Sequence, residues 1–151
     1  MLLRSRPALR APEQGFTLIE LLVVILIIGV LAGIAIPSLL NQRSKAYDAS
    51  AKELARTAQT TAETYAIDHG SFTGMNLTEL KKYETGLPSC PETKNACLSS
   101  VTVPGENEYT VTTEAATTKD KFTIARSPSG VVTRTCTSTI NGCSGASSGS
   151  W

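Results

Sequence analysis

The residues best placed to do chemistry stand close together near the start of the chain: Gly15, Phe16 and Glu20, just ahead of an uncharged run from Leu21 to Leu40. Arg4, Arg6 and Arg10 precede them. The small Gly15 could accept a protease, and cutting after it would leave Phe16 as a new amino terminus. An α-amine titrates ordinarily at about 7.7–8.0, so this one would be mostly cationic at neutral pH. Glu20 is the one acid at the edge of the apolar run, and a carboxylate entering a bilayer is costly enough to demand a partner. The next basic residue after the leader is Arg43, beyond that run. The chemistry on offer is cleavage at Gly15, modification of the Phe16 amine, and pairing of that amine with Glu20. Pairing can occur within one chain, since residues four apart share a helix face. In a dry bundle it can instead reach a neighbour, which would set axial register between helices.

Those residues must be held by a long helix. Roughly twenty apolar helical residues at about 1.5 Å each match the hydrocarbon thickness of a bilayer. In an ordinary secretory signal the cleavage site follows the apolar segment, so cutting discards it. Here no Ala-x-Ala site follows Ile36, and the candidate site precedes the segment. The leader is predicted to be shed and the anchor kept. Its arginines favour a cytoplasmic N-terminus, sending everything after Leu40 outward.

The string Gly15-Phe16-Thr17-Leu18-Ile19-Glu20, followed by the apolar run, resembles the N-terminal signature of type IV pilins and the related pseudopilins. The likeness is close from Gly15 to Leu40 and looser through the following helix. It implies that a membrane prepilin peptidase cuts after Gly15 and methylates Phe16, and that Glu20 serves subunit assembly. It further implies a homopolymer raised from the membrane lipid by an inner-membrane assembly platform, with DNA or surface ligands as open candidates. Gly29, Gly33 and Pro37 lie inside the long helix, where each Gly costs about 1 kcal/mol and Pro about 3 kcal/mol relative to Ala. The resemblance implies that this stretch unwinds locally on assembly. Tight helix packing at small residues is the plainer reading of the same glycines.

Beyond Pro37, Tyr47, Ala51, Leu54, Ala58, Ala62 and Tyr65 recur three or four apart, predicting an amphipathic continuation that stops at His69-Gly70. His69 reads as a helix-end residue. Asn76-Leu77-Thr78-Glu79 predicts a capped short helix with Leu77, Leu80 and Tyr83 inward. It also spells a glycosylation sequon, for which capping is the preferred reading. Strands are predicted over 101–103, 108–113, 121–126 and 131–136, with Ser127-Pro128-Ser129-Gly130 as a type I turn. Tyr109 and Val111, like Phe122 and Ile124, alternate as in a meander with one face on the helix. The expected fold class is α+β: a long N-terminal α-helix, half membrane-spanning and half amphipathic, packed on a small antiparallel sheet in pilin-like fashion.

Cys90, Cys97, Cys136 and Cys143 form two pairs of equal spacing in the outward part. Oxidation is the natural reading, with local pairing of Cys90 to Cys97 and Cys136 to Cys143 favoured among three connectivities. A zinc site lacks both Cys-x-x-Cys spacing and a nearby His. Glu106, Glu108 and Asp120 are too sparse to make a calcium loop. No metal or cofactor is expected.

The expected organisation is a cleaved leader at 1–15, a membrane and filament-core helix at 16–40, an amphipathic helix at 41–69, an αβ-loop at 70–98, a sheet with the disulfide region at 99–143, and a flexible tail at 144–151. The leader holds three of the 14 basic residues and one of the 13 acidic ones, so the remainder is close to neutral. That balance gives no strong case for nucleic-acid binding. With one His, no nucleophile motif and no phosphate-binding glycine loop, an enzyme is not expected. The expected function is a major pilin: a membrane precursor assembled into an extracellular pilus for adhesion, surface motility or DNA uptake. A type II secretion pseudopilin or a competence or minor pilin is the alternative within the superfamily. A single-pass anchored surface domain that never polymerises is the alternative outside it.

Overall fold

The computed structural model describes residues 15–91, 95–137, 142–143 and 148–151. The expected leader lies outside these residues except for Gly15. The chain divides into two compact units, Met1–Ser38 and Leu39–Trp151.

The first unit consists, in its described part, of the opening half of α1 (Leu18–His69). The large apolar side chains of this stretch of the helix are exposed, from 46% at Val23 to 82% at Leu18, so no described residue covers them. The helix is long and apolar enough to cross a membrane, with a mean hydropathy of 3.0 in its most apolar window. It continues unbroken through Gly29, Gly33 and Pro37.

In the second unit α1 buries Asp48, Ala51, Ala55, Ala58, Thr61, Ala62 and Tyr65 along one stripe. Alanine at four of these positions lets a sheet approach closely at little cost in side-chain entropy. Tyr47 and Leu54 sit only half-buried at the flanks, and Ala55 takes the central place that the sequence pattern had not assigned. The helix ends as expected: Gly70 adopts φ +75° and donates its N–H to the Ala66 carbonyl at 2.8 Å. His69 stacks on Tyr65 with ring centres 4.1 Å apart.

A short helix, α2 (Leu77–Tyr83), is capped by Asn76, whose Oδ1 accepts the N–H groups of Thr78 and Glu79 at 2.9 and 3.1 Å. Leu80 is fully buried and Leu77 half-buried. Tyr83, expected inward, is instead 37% exposed, because it meets Tyr65 edge-on at the rim and not in the core.

Among the described residues, five antiparallel strands follow in sequential order: β1 (Ala96–Gly105), β2 (Glu108–Ala115), β3 (Lys121–Arg126), β4 (Val132–Thr137) and β5 (Ser148–Gly149). The inner face stacks Val111 on Ile124 and Thr113 on Phe122 in register, with Tyr109 beside them. This face packs on the alanine stripe, as alternation predicted. The Thr113 hydroxyl donates to the Ala51 carbonyl at 2.8 Å, tying β2 to α1.

β2 runs on to Ala115 and β4 is shifted by one residue, and the larger departures from expectation lie at β1 and at the C-terminal end. β1 starts at Ala96, inside the predicted loop, because Leu98 exchanges backbone hydrogen bonds with Pro88 and Cys90. The C-terminal end, expected to be free, carries β5, which pairs Gly149 with Cys136 and Ser148 with Thr137. Trp151 packs edge-on against Phe122 at 5.9 Å and donates its indole N–H to the Thr135 carbonyl at 2.9 Å. A Ser/Gly-rich composition hid this docking, which follows from one large aromatic finding a half-open core. Residues 144–147 of the expected tail lie outside the described residues.

Candidate processing and assembly site

Gly15 and Phe16 precede the helix; Phe16 is 88% exposed. A side chain built on Gly15 would meet nothing within 4 Å, so the Gly15–Phe16 peptide is unobstructed by the described chain. Thr17 then starts α1. Its N–H and hydroxyl both donate to Glu20 Oε2, at 2.9 and 2.7 Å, and its hydroxyl oxygen accepts the Glu20 N–H at 3.2 Å. This is a reciprocal capping box, which satisfies N–H groups that no helical turn can reach. The sequence reading treated Glu20 only as a pairing charge and missed Thr17. Thr-x-x-Glu was the signal that could have found it, the same spacing read at Asn76 and Glu79.

The box has a chemical consequence. It orients the carboxylate toward the helix start, the place where cleavage after Gly15 would create an amine. Phe16, Ile19, Glu20, Val23 and Val24 line an open, mainly apolar hollow around it. A carboxylate at the rim of an apolar concavity is arranged to receive a cation that arrives with an apolar surface.

At Gly29 and Gly33 an added Cβ would meet nothing within 4 Å. Neither glycine therefore serves packing within the described chain.

Both disulfides have the local pairing favoured from sequence, Cys90 with Cys97 and Cys136 with Cys143. The first closes the loop that leads into β1. The second tethers the chain after β4 beside the edge on which β5 pairs. Among the described residues no group of three or more metal-ligating side chains occurs.

Comparison with known proteins agrees with this geometry. The motif described as the prokaryotic N-terminal methylation motif matches residues 10–36. The chain is 47% identical over 60 residues to the type IV wide pilus major component PilA4 of Thermus thermophilus, covering 40% of this chain and 46% of that one. It is 33% identical over 91 residues to a fimbrial protein of Neisseria meningitidis serogroup B, covering 60% of this chain and 50% of the relative. Against the competence protein ComGC of Halalkalibacterium halodurans it is 34% identical over 70 residues, covering 46% and 68%. The chain belongs to the type IV pilin family. It spans about half the length of the first two relatives. No solved structure matches it with significance.

Proposed function

We propose that this chain is a major type IV pilin: a prepilin held in the cytoplasmic membrane, cut after Gly15 and methylated on Phe16 by a prepilin peptidase, then raised by an inner-membrane assembly platform into an extracellular fibre. The observation that carries this reading is the uncovered apolar helix of the first unit, headed by the Thr17–Glu20 capping box. Lipid covers that surface in the precursor, and neighbouring helices would cover it in the polymer. Burial is similar in both states, so an assembly machine can move subunits between them without a large hydrophobic penalty. Head-to-tail contacts that do not close on themselves generate a filament. Gly29, Gly33 and Pro37 would then be the points at which the helix yields as it packs. The fibre would serve adhesion, surface motility or DNA uptake.

A second reading, a competence or minor pilin, is favoured by the ComGC relationship, in which this chain covers the largest share of a reported relative. Mass spectrometry of the mature chain tests the family mechanism. An N-methylated Phe16 terminus supports it, whereas an intact leader or a cut beyond Ile36 would point to an anchored or secreted domain. Electron microscopy of sheared surface fibres, with peptide identification, separates a major subunit from a minor one.

A further inference from the structure

The two ends of the second unit carry opposite exposed charge. Where α1 enters this unit, Arg43 and Lys45 are exposed on the helix. The turn between β2 and β3 brings Lys119 and Lys121 to the same end, held there by the Thr118 hydroxyl, which donates to Asp48 Oδ1 at 2.7 Å. Among the described residues the acids at this end are withdrawn: Asp48 and Asp120 are 3% and 1% exposed, and Glu114 is paired with Lys119 at 3.1 Å. Arg43, Lys45 and Lys121 therefore leave the described solvent-facing layer cationic.

At the opposite end α1 finishes with Asp68 exposed, and the β1–β2 hairpin carries the exposed Glu106 and the half-buried Glu108. The Phe72 N–H donates to the Glu106 carbonyl at 2.9 Å, fixing this hairpin against the helix end, and Glu84 is exposed just after α2. Among the described residues at this end, Lys82 pairs with Glu79 at 2.8 Å and Arg126 with Glu63 at 3.3 Å, while Lys81 bonds the neutral Ser89 hydroxyl at 2.8 Å. From Lys45 to Asp68 the helix rises about 35 Å at about 1.5 Å per residue, so the two charged ends are well separated.

We propose that these ends meet in the polymer: the end bearing Arg43, Lys45 and Lys121 on one subunit docks against the end bearing Asp68, Glu84, Glu106 and Glu108 on a second copy. The inference rests on the pilin reading and adds the surfaces through which subunits align. Opposite ends attract and like ends repel, so the charge pattern selects head-to-tail polarity over antiparallel pairing. Such a contact is heterologous and leaves a free end of each kind, which is what an open filament requires.

Reciprocal charge exchange in the full-length chain tests it. Arg43→Glu with Lys45→Glu, and separately Glu106→Lys with Glu108→Lys, should each lower sheared-fibre yield by about tenfold or more while the subunit still enters the membrane and is processed. All four changes in one chain should restore fibres, because the reversed charges at positions 43 and 45 again meet opposite charges at positions 106 and 108. Neutral variants, Arg43→Gln with Lys45→Gln, guard against misfolding of the reversed ones and should give an intermediate yield. Wild-type fibres should also come apart more readily in salt, as the screening length shortens from about 10 Å at 0.1 M to about 3 Å at 1 M. Wild-type yield from both paired variants, or no recovery in the fourfold variant, would overturn the docking. Loss of membrane retention in the Arg43 and Lys45 variant, without recovery, would assign those cations to anionic lipid headgroups instead. A wild-type chain that forms no fibres at all would remove the pilin reading, and this inference with it.

Discussion

The Thr118 hydroxyl donates to Asp48 Oδ1 at 2.7 Å across 70 residues of sequence, clipping the β2–β3 turn to α1. The other carboxylate oxygen, Oδ2, is buried with no hydrogen-bond partner among the described residues. Burial pushes the Asp48 carboxyl above the ordinary aspartate range, and nearby Asp120 adds to the effect, against the opposing influence of Thr118 and Lys52.

The sign of the pH dependence follows. A carboxyl whose folded pKa is raised favours the native state fully below the unfolded value of about 3.9, and that contribution is lost as pH rises through the raised folded value. Asp48→Asn cannot ionise. Its stability relative to wild type should therefore improve as pH climbs through this window, measured by urea unfolding at a series of pH values. A difference that stays constant with pH would dismiss the buried acid as the cause.

Tyr109 is 1% exposed, and its hydroxyl donates to Glu63 Oε1 at 3.0 Å, the same oxygen that Arg126 approaches at 3.3 Å. Burial, then the Glu63 charge, pushes the phenol up, so it remains a donor at neutral pH. A hydrogen bond to a charged acceptor contributes about 1.5–3 kcal/mol. Because Glu63 is partly exposed, Tyr109→Phe should cost near the lower end, about 1.5 kcal/mol, by denaturant unfolding. An unchanged midpoint would mean that water replaces the bond without loss.

Trp151 is the one tryptophan in the chain, so its fluorescence reports the docking of the C-terminal end. The Cys136–Cys143 bond holds the approach to β5 beside β4. Paired Cys136→Ser and Cys143→Ser changes should red-shift the emission and lower stability by about 2–4 kcal/mol, the usual range for a native cross-link. Retention of the native emission spectrum would show that the Thr135 and Phe122 contacts suffice to dock Trp151.

How much of this was legible in the sequence differed by element. The uncharged run, the Gly70 stop and the Asn76 cap each depend on local spacing or a local backbone requirement, and the structure has them where the sequence placed them; the alanine stripe is there too, but centred on Ala55, with Tyr47 and Leu54 at its flanks. β5 and Trp151 were illegible because their pairing is set by residues distant in sequence, and the local composition reads as a loop. Tyr83 misled for a related reason: helical spacing gives the face of a residue but not how deep the core extends beneath it. The Thr17 cap was legible and overlooked, since the charge of Glu20 drew the whole interpretation.

That double role of Glu20 can be separated. As a helix cap, Glu20 needs only an acceptor for the Thr17 N–H and hydroxyl, and a glutamine at this position of a capping box serves as well. As a partner for the Phe16 amine, it needs a negative charge. Thr17→Val should therefore fray the first turn, costing about 0.5–2 kcal/mol of helix stability, and still give fibres. Glu20→Gln should keep the first turn, read by amide exchange, and yet assemble as poorly as Glu20→Ala, while both insert into the membrane. Normal fibre yield from Glu20→Gln would make the carboxylate a capping group alone and leave helix register to some other contact.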